Sequence, residues 1–369
     1  MPEVKYLDLR RVNTGFENEF KSAFQDFLNS GWYILGKKVE DFENDFAQFT
    51  QTQYSIGVAN GLDAIILALK ALGIGKGDEV IVPSNTYIAT WLAVSYVGAT
   101  PIPVEPNIET YNIDVTKIEE KITAKTKAII PVNLYGQAAE LDKIHIIAQK
   151  YQLFVIEDNA QAQGAMCFNK PAGAWGDINA TSFYPGKNLG ALGDGGAITT
   201  NRLELYEKVK VLRNYGSQKK YFNEVLGVNS RLDELQAAFL SIKLKKLEKD
   251  NQERQELAKI YDTQLQGVGD IVLPKIAQNC TSVYHIYLIR TKKRDELQAF
   301  LNEKGIGTLI HYPIPPHLQN AYSDLAYQKN DFPIAEEIAN TCLSLPLFPS
   351  MTVIEQEYII EQIKSYYHG

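Results

Sequence analysis

Between Tyr54 and Thr200, short runs of apolar residues alternate with segments of helical period. QYSIGVAN, EVIVPSN, TPIPVEP, AIIPVNLYG, LFVIEDNA, ATSFYP and GAITT read as strands. LDAIILALKALGI, ATWLAVSYVGA and ELDKIHIIAQKYQ read as helices between them. The strand runs are continuously apolar, which fits strands covered on both faces. Strands that alternate with helices need crossover connections, so the pattern predicts a largely parallel sheet layered between helices. Gly73, Gly75 and Gly77 close the first helix, because glycine accepts the left-handed backbone of a C-cap. Such sheets carry their chemistry in the loops after the carboxyl ends of the strands. That rule singles out the residues following Val58, Val82, Ile156 and Phe183.

The stretch from Leu232 to about Leu265 reads as one long amphipathic helix, with Leu235, Phe239, Ile242 and Leu247 on one face. A helix of that length suits a connector between domains. Beyond it, VYHIYLIRT reads as a strand, DELQAFLNEKG as a helix and TLIHYP as a strand. PIAEEIANTCLSL and EQEYIIEQIKSYY read as closing helices. A chain of 369 residues exceeds one small core. We expect a large domain over 1–245, including an N-terminal segment, and a smaller α/β domain over 246–369.

The net charge of −7 argues against nucleic acid as the main partner, since phosphate backbones call for clustered Lys and Arg. Cys167, Cys280 and Cys342 are odd in number and widely spaced, which favours buried free thiols over a disulfide framework or a zinc site. No metal site is expected. The start, MPEVKYLDLRRVN, has no apolar leader core, and no apolar run reaches membrane-spanning length. A reducing cytoplasm is the expected location.

Gly186-Lys187 is not a phosphate-binding P-loop, because Thr181 stands where the first glycine belongs and Asn188 replaces the Ser or Thr. GxGxxG after a strand, HExxH and GxSxG are also missing. Lys187 follows a predicted strand in SFYPGKNLGALGDGGAITT. In an apolar pocket its amine would lose proton affinity and could attack an aldehyde; in a glycine loop it could equally be a solvated lysine. Asp158 ends the strand of VIEDNAQ, where a buried carboxylate needs a cationic partner such as a pyridinium nitrogen. Taken alone, it reads as a helix N-cap. In NGLDAI the amides of Gly61, Leu62 and Asp63 open a helix, a ready anion site to which the Ser182 hydroxyl could add a bond. An ordinary strand–helix turn has the same composition. Together, the aldehyde-capturing lysine, the ring-nitrogen acid and the phosphate cradle describe pyridoxal 5'-phosphate (PLP).

These segments resemble the DegT/DnrJ/EryC1/StrS sugar aminotransferases, within the aspartate aminotransferase-like fold type I of PLP enzymes. The resemblance runs from WYILGKKVEDFENDFA through VNLYGQAAELD, VIEDNAQAQGA and SFYPGKNLG to NSRLDELQAA. It implies an α/β fold with a large, mostly parallel sheet domain and a smaller C-terminal domain. It also implies roles for single residues. Lys187 would be the Schiff-base lysine and proton shuttle, Asp158 the partner of the pyridinium nitrogen, and Gln161 a contact to the ring hydroxyl. Tyr87 would stack on the ring. Gly61, Leu62 and Ser182 would hold the phosphate, joined by Asn229 from the second subunit of a homodimer with shared active sites. Many members carry Ser-Gly-Thr where this chain has Asn60-Gly61-Leu62, which shifts the phosphate contacts toward backbone amides. The retained lysine separates the chain from dehydratase relatives that carry histidine there.

TLIHYPIPPHLQNAY resembles members that aminate C3 of a nucleotide-linked 3-keto-6-deoxyhexose, which would place His311, Tyr312 and His317, with Tyr184, near the sugar. Taken without the resemblance, the two histidines read as structural. The implied activity is amino transfer from L-glutamate to C3 of a dTDP-linked 3-keto-6-deoxyhexose, by way of pyridoxamine phosphate. The products would serve deoxyamino sugar, O-antigen or other surface-polysaccharide synthesis. The alternatives are a 4-keto sugar, a UDP- or GDP-linked sugar, or a catalytically silent relative that binds PLP.

Overall fold

The computed structural model describes residues 3–368; Met1, Pro2 and Gly369, at the outer ends of the two expected domains, lie outside the described residues. Three helices come first, α1 (Leu9–Thr14), α2 (Glu17–Ser30) and α3 (Lys37–Thr50). A seven-stranded sheet follows, built from β1 (Tyr54–Val58), β2 (Glu79–Pro83), β3 (Thr100–Val104), β4 (Thr126–Ile129), β5 (Phe154–Asp158), β6 (Ile178–Ser182) and β7 (Gly196–Thr200). Its order is β1-β7-β6-β5-β4-β2-β3. The strands β2 to β6 pair in parallel, and β7 runs antiparallel to both β1 and β6. The reversal follows from the connection, because β6 and β7 are joined by a loop with no crossover helix. The layered, mostly parallel sheet matches the expectation.

Alternation along each strand feeds two cores. Val80, Val82, Ile156, Ile178 and Ile198 pack on one side, with α4 (Gly61–Ala71) and α5 (Ile88–Tyr96) above them. Ile81, Ile129 and Val155 turn to the other side, beneath α6 (Leu141–Tyr151). Both sides are dry, which is why the strands read as unbroken apolar runs.

After α7 (Leu203–Leu212) the predicted long helix is two, α8 (Glu234–Leu244) and α9 (Leu247–Leu265). The chain tightens at the junction, where the Lys246 amide bonds to the Lys243 carbonyl at 3.0 Å. Two targets explain the break. Phe239 of α8 packs on Phe20, with ring centroids 4.9 Å apart, whereas Leu257, Tyr261 and Leu265 of α9 enter a separate C-terminal core. One straight helix cannot present both faces. That second core also holds β8 (Tyr287–Arg290), α10 (Arg294–Glu303), β9 (Cys342–Leu345) and α12 (Val353–His368), while α11 (Pro333–Thr341) leads into β9. Val4 joins it, bridged in parallel to Ile306, so the N-terminal segment crosses onto the C-terminal core.

Two further expectations differ. TLIHYP forms no strand; only Leu309 bridges Ser344, because Pro313, Pro315 and Pro316 lack the N–H a ladder needs. The end of PIAEEIANTCLSL leaves the helix at Cys342 and pairs antiparallel with β8, Tyr287 opposite Leu345. The three cysteines are free; Cys167 and Cys342 are buried, and Cys280 is only half-buried, facing Cys167 across an antiparallel bridge.

Candidate active site

A cavity of about 1220 Å³ opens at the carboxyl ends of the parallel strands, where the sheet meets the C-terminal core. Lys187, Asp158, Gln161, Gly61, Leu62, Ser182, Tyr87, Tyr184, His311 and Tyr312 all line it. Adjacency of strands brings them together. β5 ends on Asp158, β6 beside it ends on Ser182, and Asp158 lies opposite Ala180 in register.

The loop carrying Lys187 is held on both sides. Phe183 is fully buried, edge-on to Phe42 and Phe46 of α3 at 5.3 and 5.2 Å. The Lys187 amide closes a turn on the Tyr184 carbonyl at 2.8 Å. Lys243 of α8 reaches under the loop to the Gly190 carbonyl at 2.6 Å. Burial strips water from the Lys187 ammonium and brings its pKa down to about 8, with Asp158 pulling in the opposite direction. The side chain is half-buried and lines the cavity.

Asp158 is 6% exposed and has no ion-pair partner among the described residues. Thr90 Oγ1 donates to its Oδ2 at 2.9 Å, and the Ala160 amide donates to Oδ1 at 3.2 Å. Burial raises the carboxyl above its ordinary range; these two bonds and the Lys187 charge oppose the rise.

At the start of α4, the Asn60 side chain accepts from the Asp63 amide at 2.8 Å. The expectation of three free amides is therefore corrected to two. Those of Gly61 and Leu62 have no acceptor among the described residues. Gly61 is needed there, since a Cβ would stand 2.6 Å from Ser182 Cβ. Gly196 of β7 serves the same turn, because a Cβ on it would meet the Asn60 backbone at 2.5 Å.

Gln161 is fixed at one end, its Oε1 accepting from the Tyr135 amide at 2.6 Å. Its Nε2 donates to the Tyr312 hydroxyl at 3.1 Å and keeps a second hydrogen. Tyr87 caps α5, about half exposed, with its ring 5.2 Å from that of Tyr312. His311 is bonded through Nδ1 to Ser344 Oγ at 2.8 Å, and burial followed by the Lys187 charge lowers its pKa to about 4. Tyr184 stands exposed at the rim.

Two expected residues are elsewhere. His317 is 2% exposed, held by Glu336 at 3.2 Å and by the Phe332 ring, and does not line the cavity. Its expected sugar contact is not realised, because the side chain is enclosed within the C-terminal half. Asn229 is exposed, bridged to Asn214, and outside this chain's cavity.

Other residues join without having been expected. Thr90 orients Asp158. Arg254 of α9 is buried in the cavity wall, with burial lowering its pKa to about 10; its Nη1 donates to the Leu347 carbonyl at 3.0 Å and its Nε has no partner. His285 precedes β8 and also lines the cavity. In QERQEL nothing separates Arg254 from its solvated neighbours. A histidine at the head of an apolar strand, in VYHIYLIRT, was a weak signal for His285.

A neutral-capable lysine, a buried unpaired carboxylate and two free helix amides in one cavity fit a phosphorylated aldehyde with a basic ring. The DegT/DnrJ/EryC1/StrS aminotransferase family model matches residues 15–364. The chain belongs to this aminotransferase family. Within it, the chain is 55% identical over 363 residues to the dTDP-3-amino-3,6-dideoxy-alpha-D-galactopyranose transaminase of Aneurinibacillus thermoaerophilus, covering 98% of this chain and 99% of that one. The crystal structure of DesV from S. venezuelae superposes with a TM-score of 0.98 at 44% identity, over 100% of both chains. That of ntda from Bacillus subtilis, solved with bound cofactor PMP, superposes with a TM-score of 0.94 at 35% identity, over 100% of this chain and 86% of that one. This aminotransferase thus has the PLP fold type I architecture and works with PLP, the cofactor of its family. No helix among the described residues is long and apolar enough to cross a membrane.

Proposed function

We propose that the protein transfers the amino group of L-glutamate to C3 of a dTDP-linked 3-keto-6-deoxyhexose. The observation that carries the reading is the near full-length likeness to a transaminase named for that class of sugar, joined to a cavity holding Lys187 opposite Asp158. Bound PLP supplies an electron sink that acidifies the Cα–H bond of the donor. The chain's residues then have separate tasks. Gly61 and Leu62 offer amides, and Ser182 a hydroxyl, to the phosphate, aided by the helix dipole by roughly 1 kcal/mol. Asp158 stabilises a positive ring nitrogen in a place where its own charge is otherwise unpaired. Gln161 has its spare hydrogen for the ring hydroxyl, and Tyr87 a ring face for stacking. Lys187 Nζ, with its pKa lowered to about 8, would take the α-proton of the donor in the first half-reaction and deliver a proton to C3 of the sugar in the second. Tyr184, Tyr312 and His311 stand where the sugar enters.

The reading includes a homodimer. Trp32, Tyr221 and Leu226 are 62%, 84% and 93% exposed, an apolar load that suits a covered surface. Asn229, close by in sequence, would reach the phosphate as Asn229 of the partner subunit. A large domain over 1–245, a small one over 246–369, and a cytoplasmic role in surface-polysaccharide synthesis complete it. The test is incubation of the PLP-loaded protein with glutamate and a panel of dTDP-, UDP- and GDP-linked 3-keto and 4-keto sugars, with the aminated carbon located by NMR. A C3-amino dTDP-sugar is expected. Amination only at C4, or only on another carrier, overturns the substrate assignment. Lys187→Ala should abolish turnover and the visible absorbance of the bound cofactor.

A further inference from the structure

His285 stands in the cavity wall among basic groups: Lys187, Arg254 and His311 are the charges that act on it, and all three lower its pKa further after burial has done so. A relay of amides fixes which of its nitrogens carries hydrogen. The Gln163 carbonyl can only accept, so Asn251 must direct Nδ2 at it, which it does at 2.9 Å. Asn251 Oδ1 is then the acceptor for Asn188 Nδ2, at 2.9 Å, and the same Nδ2 also donates to the Val283 carbonyl at 3.0 Å. Both carbonyls agree on the orientation of Asn188, so its Oδ1 faces His285 Nδ1, at 3.2 Å. Nδ1 therefore carries the hydrogen, and Nε2 is a bare lone pair. Nε2 has no partner among the described residues and is not among the enclosed unsatisfied atoms, so it opens toward the cavity.

The relay starts at Asn188, the residue that follows Lys187 in the chain. It presents an acceptor within reach of the Lys187 charge, in a part of the wall that Arg254 also lines. We propose that His285 is a further substrate-contacting residue, whose Nε2 accepts a hydrogen bond from an N–H or O–H group of the substrate bound next to Lys187. The group belongs either to the amino donor or to a hydroxyl of the sugar, both of which occupy the space over Lys187 in turn. This rests on the aminotransferase reading of the site, and it adds a contact that the sequence motifs did not supply.

The first measurement is 15N NMR of the full, PLP-loaded protein labelled at histidine, of which the chain has 5. We expect the Nδ1–H tautomer of His285 with an unprotonated Nε2 from about pH 6 to about pH 8.5. Saturation with glutamate, or with the dTDP-keto-sugar, should then shift the Nε2 resonance. The ligand that shifts it identifies which source provides the hydrogen. An Nε2–H tautomer, an imidazolium, or a resonance unmoved by either ligand overturns the proposal. The second measurement follows each half-reaction of His285→Asn, whose Nδ2–H can still reach Asn188 Oδ1 while nothing replaces Nε2. We expect kcat/KM of one half-reaction to fall roughly tenfold or more with the melting temperature unchanged. A purely structural histidine would instead lose stability and leave both half-reactions intact. If wild-type protein fails to aminate every keto-sugar while glutamate still moves the Nε2 resonance, the sugar assignment fails and the contact stands.

Discussion

Replacing Asp158 with asparagine changes one charge and almost no volume, so its effects on fold and on cofactor binding separate cleanly. Two bonds hold the carboxylate, from Thr90 Oγ1 at 2.9 Å and from the Ala160 amide at 3.2 Å. An asparagine keeps the second through its oxygen. Its Nδ2 can donate to Thr90 Oγ1, whose proton then turns to Thr86 Oγ1, 3.0 Å away. The network survives with its direction reversed. The lost charge assistance amounts to about 1 kcal/mol, and it is offset by no longer burying an unpaired anion. The apoprotein should therefore unfold in urea within about 1 kcal/mol of wild type. Cofactor binding is another matter. Removing one member of a desolvated charge pair costs about 2–5 kcal/mol, and so weakens PLP by ~30- to ~4000-fold. Quenching of tryptophan fluorescence on titrating apoprotein with PLP at pH 8 gives that ratio. An unchanged dissociation constant would refute the pairing of Asp158 with the ring nitrogen. A loss of several kcal/mol in the apoprotein would make Asp158 a structural anchor instead.

The buried Lys187 also predicts a pH dependence. Its pKa falls from 10.5 to about 8 on folding, so between those values the unfolded chain holds the extra proton and stability rises with pH. The rise is up to about 3 kcal/mol, absent below pH 8 and complete above 10.5. Lys243, also lowered to about 8, adds a similar slope, so the measurement is the difference between wild-type and Lys187→Met apoprotein in urea. Parallel curves would contradict the buried amine. Gly61→Ala drives a Cβ to within 2.6 Å of Ser182 Cβ, which only backbone movement relieves. We expect about 1–3 kcal/mol lost and at least about tenfold weaker PLP binding, by urea unfolding and titration. His317→Ala should cost about 2–3 kcal/mol in stability, since the ring is buried against Phe332 and Glu336, and leave KM for the sugar as it was. A raised KM in a stable variant would restore His317 to the sugar site.

Much of the site was legible because its parts are local. Asp158 ends a strand, Gly61 and Lys187 follow shortly after strand ends, and a strand's carboxyl end is marked by where its apolar run stops. Periodicity could not tell that Leu232 to Leu265 would break, because both halves are amphipathic and only their different packing partners separate them. His317 and His311 lie six residues apart in the same proline-rich stretch, yet one faces the cavity and the other is enclosed. No local pattern distinguishes them.

What this sequence determined by itself was the layered sheet, the order of cradle, acid and lysine along it, and the chemistry those residue types allow. Each follows from short-range rules: alternation of apolar residues, helix ends, and the cost of burying a charge. The tertiary structure alone decided which distant groups complete the site. Arg254 and His285 come from beyond α8, carried in when the second core docks against the sheet, and the tautomer of His285 is set by amides at positions 188 and 251. Contacts between residues so far apart in the chain depend on how two hydrophobic cores meet, which no window of the sequence contains.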